Sequence, residues 1–172
     1  KNKDLDRATE EKVRNDLRRA KWNPKLDSFG SDAVALLNVW TNFLANNRDR
    51  DWATNHSLNS SAFRGVENTR TELEKQLRKV RIPMIDTAPL EELPERIKLA
   101  LASGLIESLM KQEDSPTSYR QIYNSNNLSN VKINRGSAVS MAGQEKYLIS
   151  GVLTANTNSE IDEYYSQLVE VI

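Results

Sequence analysis

The hydrophobic pattern changes its period near Gly104, which restricts the chain to folds that combine helices with a separate group of short strands. Before Gly104 the apolar residues recur at steps of three and four, as they do along one face of a helix. After Gly104 they gather in short runs rich in branched and aromatic residues, and Ser, Asn and Gly separate these runs. The pattern therefore predicts an α+β protein in which a helical bundle precedes a small β structure.

Two helices are predicted in the first quarter of the chain. The first is an amphipathic helix over residues 4–20 that ends before Pro24, because proline cannot continue the hydrogen-bond ladder. The second begins at Ser31 or Asp32, since both residue types are good N-caps. Apolar side chains lie on almost all sides of this second helix, which predicts that it is buried. These side chains are Val34, Leu36, Leu37, Val39, Trp40, Phe43 and Leu44.

Two further helices are predicted before the pattern changes. The third is capped by Asn59 or Ser60 and carries an apolar stripe along one face. This stripe predicts that Phe63 and Leu73 are core residues. The fourth helix covers residues 90–103.

Five short strands are predicted after the helices, over residues 105–111, 119–123, 131–133, 147–154 and 165–172. Five strands of this length suit a small Greek-key barrel such as an OB-fold. A small sandwich satisfies the same pattern. The last run has apolar residues on both of its faces, which predicts an edge or closing strand that is covered on both sides.

Composition excludes several functional classes. The 172 residues include 24 Lys and Arg and 24 Asp and Glu, so any nucleic-acid surface must be a local patch. No cysteine is present, which removes disulfides and cysteine-based metal sites. No apolar run approaches the roughly 20 residues that are needed to span a bilayer. We therefore expect an intracellular chain without a membrane partner.

No catalytic constellation is visible in the sequence. There is no Gly-rich phosphate loop ending in Gly-Lys-Ser or Gly-Lys-Thr, no Asp-Glu-Ala-His and no nucleophile elbow. The single histidine, His56, has no set of partners for metal binding or base catalysis, so a position at a helix end or core edge is the better interpretation. An independent hydrolase is therefore disfavoured, and no catalytic residue, metal ligand or cofactor is predicted in this chain.

Four segments of the first half share an order and a spacing with one protein family. Residues 31–40 read Ser-Asp-Ala-Val-Ala-Leu-Leu-Asn-Val-Trp, and residues 51–53, 58–63 and 67–73 follow them. They resemble the helical ratchet domain of the DEAH-box RNA helicases. That domain has a Gly-Asp-His-Leu-Thr-Leu-Leu-Asn-Val-Tyr segment, a Trp-Cys pair, a Leu-Asn-Tyr-Arg-Ser-Leu segment and an Asp-Asn-x-Arg-x-Gln-Leu segment. Four ordered matches are far more specific than any one of them.

The second half resembles the terminal OB-fold of the same helicases. Residues 131–139 lie where the family has a strand followed by His-Pro-Ser-Ser-Ala-Leu, and residues 146–154 match its Trp-Val-Val-Tyr and Val-Leu-Thr-Thr strand. The resemblance implies a ratchet-like helical bundle followed by a small OB-fold-like β-barrel. It also implies three parts: a linker helix (1–30) that leaves a winged-helix domain, a ratchet domain (31–103) and an OB-fold (104–172).

The resemblance implies a C-terminal accessory module of an ATP-dependent RNA helicase, which lines the RNA channel and docks cofactors. ATP and Mg²⁺ would belong to RecA-like motor domains upstream, and a start at Lys1 without Met fits a piece of a longer protein. The implied partners are single-stranded RNA, the protein's own motor domains and a G-patch activator protein. The implied processes are ribosomal-RNA processing or pre-mRNA splicing, in the nucleus or nucleolus.

Four residues are predicted to contact RNA, because OB-folds present loops and a strand face to single strands. They are Lys132, Asn134, Arg135 and Ser137. A basic run in and after the first helix is interpreted as a solvated helix face rather than a phosphate track. It consists of Arg14, Arg18, Arg19, Lys21 and Lys25. Arg70 lies on the apolar stripe of the third helix, which predicts a structural role in which it pairs with a buried acceptor.

At several positions this chain departs from the family pattern, so the RNA-contacting residues of the family cannot be assigned to it position by position. Ser60-Ser61 stand where the family has Tyr-Arg, and Asn134-Arg135 stand where it has His-Pro. An alternative function therefore stays open. In this alternative the chain is a non-enzymatic protein–protein interaction module that does not touch RNA.

Overall fold

The computed structural model describes residues 2–23, 30–84, 89–115, 117–123, 128–134, 137–139, 146–155 and 164–171. The helices in these ranges are α1 (Asn2–Lys21), α2 (Asp32–Ala45), α3 (Arg50–Asn55), α4 (Ser60–Lys79) and α5 (Leu93–Gly104). The strands are β1 (Leu109–Gln112), β2 (Tyr119–Gln121), β3 (Val131–Ile133), β4 (Tyr147–Ala155) and β5 (Tyr164–Val171). Short 3₁₀ turns at Leu90–Glu92 and Ile106–Ser108 flank α5.

The chain forms two compact units. The helical unit consists of Lys1–Asn23 and Leu37–Leu90, and the barrel unit consists of Pro24–Leu36 and Glu91–Ile172. The first residues of α2, up to Leu36, belong to the barrel unit, and its residues from Leu37 onward belong to the helical unit. The domain boundaries that the family resemblance implies stay a prediction.

Stacked aromatic rings form the centre of the helical unit. The ring centroids of Phe43 and Phe63 are 3.9 Å apart with an interplanar angle of 12°. Trp40 lies against Phe63 at 6.2 Å. The amide of Asn42 donates hydrogen bonds to the carbonyls of Ala20 and Trp22, at 2.9 and 2.8 Å. These bonds satisfy carbonyl groups at the end of α1 that have no partner within the helix.

The four predicted helices are present, one of them begins later than predicted, and the described residues contain a fifth helix that was not predicted. Helix α2 begins at Asp32, where Ser31 Oγ accepts a hydrogen bond from the Val34 amide. Asn59 caps α4 by accepting a hydrogen bond from the Ser61 amide. The short helix α3 was not predicted, although the Asp49 carboxylate caps it. The last predicted helix begins at Leu93 instead of residue 90, because a 3₁₀ turn precedes it.

The prediction that Leu73 is a core residue is wrong. Its side chain is 58% exposed, whereas Phe63 on the same helix is 8% exposed and confirms its predicted core position. The predicted burial of α2 is confirmed for Val34, Val39 and Phe43, whereas Leu36 and Leu44 are exposed. The periodicity identifies an apolar face correctly, but no described element of the helical unit covers the α4 face around Leu73.

The barrel unit closes through five strands. They pair in the order β1–β2–β3–β5–β4, and β4 pairs back to β1. All of these pairs are antiparallel except β3 with β5, where Val131 is in register with Tyr164. The fold class is therefore α+β with a small OB-fold-like barrel, as predicted, and not a sandwich. Strand β5 is not an edge strand, because it pairs with β3 on one side and with β4 on the other within the closed barrel.

The interior of the barrel is filled by side chains from every strand. Its buried residues are Met110, Tyr119, Val131, Val139, Leu148 and Val169. Strand β2 shows the alternation that this arrangement requires, since Tyr119 and Gln121 are buried and Arg120 is exposed. The outer surface of the strands is consequently available to carry polar and charged side chains.

Candidate functional site

Strand β3 and the turn after it carry the predicted RNA contacts. Val131 is buried in the barrel core and Ile133 packs against the same core. Alternation along the strand therefore places Lys132 on the outer face of β3. Asn134 follows the strand and is half-buried, and its carbonyl accepts a hydrogen bond from the Ser137 amide at 2.9 Å. Arg135 lies outside the described residues.

Ser137 is joined to the first residue of α2. It is buried, and its hydroxyl donates a hydrogen bond to Asp32 Oδ2 at 2.9 Å. The Ala138 amide donates to Asp32 Oδ1 at 2.7 Å, and the Val139 amide donates to Ser137 Oγ at 3.1 Å. The carboxylate of Asp32 thus holds the turn that follows β3 in place.

Asp32 also completes the hydrogen bonding of β5. Strand β3 pairs with β5 only as far as Ser166, so amides further along this side of β5 need other acceptors. Asp32 Oδ2 accepts from the Val169 amide at 2.9 Å, and the Gly30 carbonyl accepts from the Val171 amide at 2.9 Å. Gly30 has a φ of 77°, and a side chain there would meet Val171 at 3.1 Å. Glycine is therefore required where the chain runs along β5.

Sequence reasoning missed the role of Asp32, which was interpreted only as a helix cap. Ser31 supplies that cap, and this leaves the Asp32 carboxylate available to the turn and to β5. Two of the segments that carry the family resemblance therefore meet within the barrel unit, because the start of the segment 31–40 contacts the end of the segment 131–139. The assignment of Lys132, Asn134, Arg135 and Ser137 to RNA contact stays a prediction. Such contact would have to accommodate the bond that Ser137 makes to Asp32.

The other sequence candidates have local roles in the helical unit. The prediction for Arg70 is wrong, because its side chain is 69% exposed and pairs with Glu74 of its own helix at 2.9 Å. His56 is confirmed at a helix end, where Nδ1 lies 2.7 Å from the Trp52 carbonyl. In the basic run, Arg14, Arg18 and Arg19 are exposed and Lys21 is half-buried. Lys25 lies outside the described residues.

A polar cluster lies on the hairpin of β1 and β2. Glu113 Oε2 accepts hydrogen bonds from Ser118 Oγ at 2.6 Å and from the Asn130 amide at 3.2 Å. Its other oxygen pairs with Arg120 at 3.0 Å. The Ser118 bond holds the pKa of Glu113 below its ordinary value, and the Asn130 and Arg120 bonds act in the same direction against the opposing effect of burial. The cluster therefore favours the charged carboxylate.

Glu113→Gln is expected to remove part of the acid sensitivity of the fold. Because the folded pKa is depressed, the contribution of Glu113 to stability is complete above the ordinary value of 4.5 and is lost as the pH falls through the folded pKa. The difference in Tm between parent and variant should be largest near neutral pH and shrink toward pH values below 4.5. Ser118→Ala should reproduce part of this change. A Tm difference that does not vary with pH would contradict the assignment.

The described residues offer neither a metal site nor a membrane-spanning helix. Within them, no three His, Cys, Asp or Glu side chains lie together in a way that could hold a metal ion. Every helix of the described ranges is too short or too polar to cross a bilayer.

Two known proteins are similar to parts of the chain. The "Probable ATP-dependent RNA helicase DHX35 homolog" of Caenorhabditis elegans is 29% identical over 73 residues, which are 42% of this chain and 10% of that protein. The pre-mRNA-splicing factor ATP-dependent RNA helicase prp22 of Schizosaccharomyces pombe is 28% identical over 92 residues, which are 54% of this chain and 8% of that protein. No family model matches the chain.

These matches cover a small part of each relative, about a tenth of its length or less. The partial similarity supports the relation to DEAH-box RNA helicases that the sequence motifs indicate. It does not extend to a particular domain of those proteins.

Proposed function

We propose that this chain is an accessory module from the C-terminal region of a DEAH-box RNA helicase, where it lines the RNA channel beside the motor domains. The observation that carries the proposal is the partial similarity to two ATP-dependent RNA helicases. The order of a helical unit and an OB-fold-like barrel along the chain supports it, because the resembled family has a ratchet domain followed by an OB-fold.

The module has no part in ATP chemistry under this proposal. RecA-like motor domains of the parent protein bind ATP and Mg²⁺, and this chain contributes surfaces for single-stranded RNA and for a G-patch activator protein. The name of the yeast relative, a pre-mRNA-splicing factor, favours splicing over ribosomal-RNA processing. A nuclear location follows from either process.

The RNA surface of the barrel unit is assigned to β3 and the turn after it. Lys132 lies on the outer face of β3, where a cation can reach a phosphate group. Net charge over the whole chain is zero, so binding must come from such local cations and should depend strongly on salt. Base sequence should have little influence, because phosphate contacts carry no sequence information.

Lys132→Ala combined with Arg135→Ala is expected to weaken binding of oligouridine about tenfold at low salt, through the loss of two phosphate contacts. Fluorescence anisotropy titrations of the full chain measure this change. Arg96→Ala combined with Lys98→Ala is the charge-matched control, since both cations are on α5 and pair with Glu92 and Glu95. Equal affinity of the Lys132/Arg135 variant and the parent would refute the assignment of this turn.

A second candidate function is a protein-interaction module that does not touch RNA. One observation favours it: α4 from Val66 onward and the residues that follow this helix expose large apolar side chains. They are Val66, Leu73, Val80, Ile82 and Met84. Exposed apolar patches of this kind mark interaction sites in many proteins. A parent chain that shows no RNA binding at low salt would favour this second function over the first.

A further inference from the structure

A cavity of about 420 Å³ lies at the start of α4 in the helical unit. Arg48, Arg50 and Arg64 line it, together with Glu67. Arg48 pairs with Glu67 at 3.3 Å. The lining therefore carries three cations against one carboxylate, and this excess of positive charge favours an anionic ligand.

The other residues that line this cavity are two serines and two buried aromatic residues. They are Ser60, Ser61, Phe43 and Phe63, and the rings of the two phenylalanines stack on each other. The DEAH-box pattern has Tyr-Arg where this chain has Ser60-Ser61. Two small side chains at these positions leave room that larger ones would fill, and hydroxyl groups can donate hydrogen bonds to a phosphate oxygen.

Two of the three arginines keep their charge available for a ligand. Within the described part of the chain, neither Arg50 nor Arg64 has a carboxylate within ion-pair distance. Both side chains belong to exposed residues, so a ligand can reach them from solvent. Guanidinium groups bind phosphate through paired hydrogen bonds, which a lysine cannot provide in the same geometry.

We propose that this cavity binds phosphate groups of single-stranded RNA through Arg50 and Arg64. The choice of RNA rests on the proposed function, and the charge of the cavity alone would also admit a phosphorylated peptide. The site is separate from the predicted contacts on β3, because all of its residues belong to the helical unit. Arg48 contributes less, since Glu67 already pairs with it.

The test is a titration of the full 172-residue chain with fluorescein-labelled oligouridine of about 12 nucleotides at several salt concentrations. Arg50→Ala combined with Arg64→Ala should raise Kd about tenfold at low salt and reduce the slope of log K against log salt by about 1.4. Arg50→Lys combined with Arg64→Lys should recover the salt slope but only part of the affinity. Arg78→Ala combined with Lys79→Ala, at the other end of α4, should leave the affinity close to that of the parent, apart from the small loss that any removed cation causes.

The outcomes distinguish a failure of the cavity assignment from a failure of the proposed function. If the Arg50/Arg64 variant binds as tightly as the parent, the cavity assignment is wrong while RNA binding by the chain stands. If the variant and the Arg78/Lys79 control lose affinity equally, only general charge is involved and the cavity assignment is wrong. Failure of the parent to bind RNA would overturn both proposals. Binding of a phosphoserine peptide in place of RNA, with the same dependence on arginine, would overturn the RNA assignment.

Discussion

Asp32→Ala is expected to lower the free energy of unfolding of the barrel unit by about 3–5 kcal/mol. The carboxylate accepts hydrogen bonds from the Ser137 hydroxyl and from the amides of Ala138 and Val169, all between 2.7 and 2.9 Å. Asp32 and Ser137 are buried, so water cannot easily replace the missing acceptor. Each unsatisfied buried donor costs about 1–3 kcal/mol, and local relaxation recovers part of the sum.

Hydrogen exchange gives the sharpest measurement of this effect. The amides of Ala138 and Val169 should lose protection in the variant, because their acceptor is removed. Asp49→Ala is the matched control, since Asp49 also accepts from two backbone amides but is exposed. It should cost only about 0.5–2 kcal/mol, as helix caps do. Equal losses for the two variants, or unchanged protection at Ala138 and Val169, would contradict the role assigned to Asp32.

Most helices and strands of this fold could be predicted from the sequence, because local sequence features determine where they begin and end. Ser31 and Asn59 cap their helices through side-chain acceptors that sequence reasoning identifies directly. The run Val131–Ile133 has a branched apolar residue on either side of Lys132, is bounded by polar residues, and forms β3 with the predicted bounds. The pairing of β3 with β5 could not be derived in the same way, because strand order depends on contacts that are distant in the chain.

The contacts of Asp32 were missed for the same reason. Its partners lie 105 to 137 residues away along the chain, and no local pattern distinguishes this carboxylate from an ordinary helix cap. The arginine cavity was missed because Arg48 and Arg50 lie in and after a turn, while Arg64 lies one turn into α4. Arg64 lines the same cavity as Arg48 and Arg50 only because of the way in which α4 packs in the folded chain. Lys132, by contrast, was selected from the family resemblance and from the general use of OB-fold strands.

Phe63→Ala is expected to lower the free energy of unfolding of the helical unit by about 3–5 kcal/mol, the usual cost of truncating a buried aromatic residue. The ring is 8% exposed and stacks on Phe43 with centroids 3.9 Å apart. Trp40 packs on it as well, so the substitution removes contacts on two sides and leaves a cavity that the remaining rings cannot fill. A urea titration followed by tryptophan fluorescence reports directly on this cluster, because Trp40 and Trp52 pack against it.

Leu73→Ala provides the control for this prediction, because Leu73 lies on the same apolar stripe of the same helix. It is 58% exposed, so its truncation removes little buried surface and should change stability by no more than about 0.5 kcal/mol. The apolar pattern predicts the same effect for both residues, whereas the structure predicts a large difference. A loss for Leu73→Ala as large as that for Phe63→Ala would mean that the α4 face around Leu73 is covered in solution. The exposed face used to support the second candidate function would then not exist in the free chain.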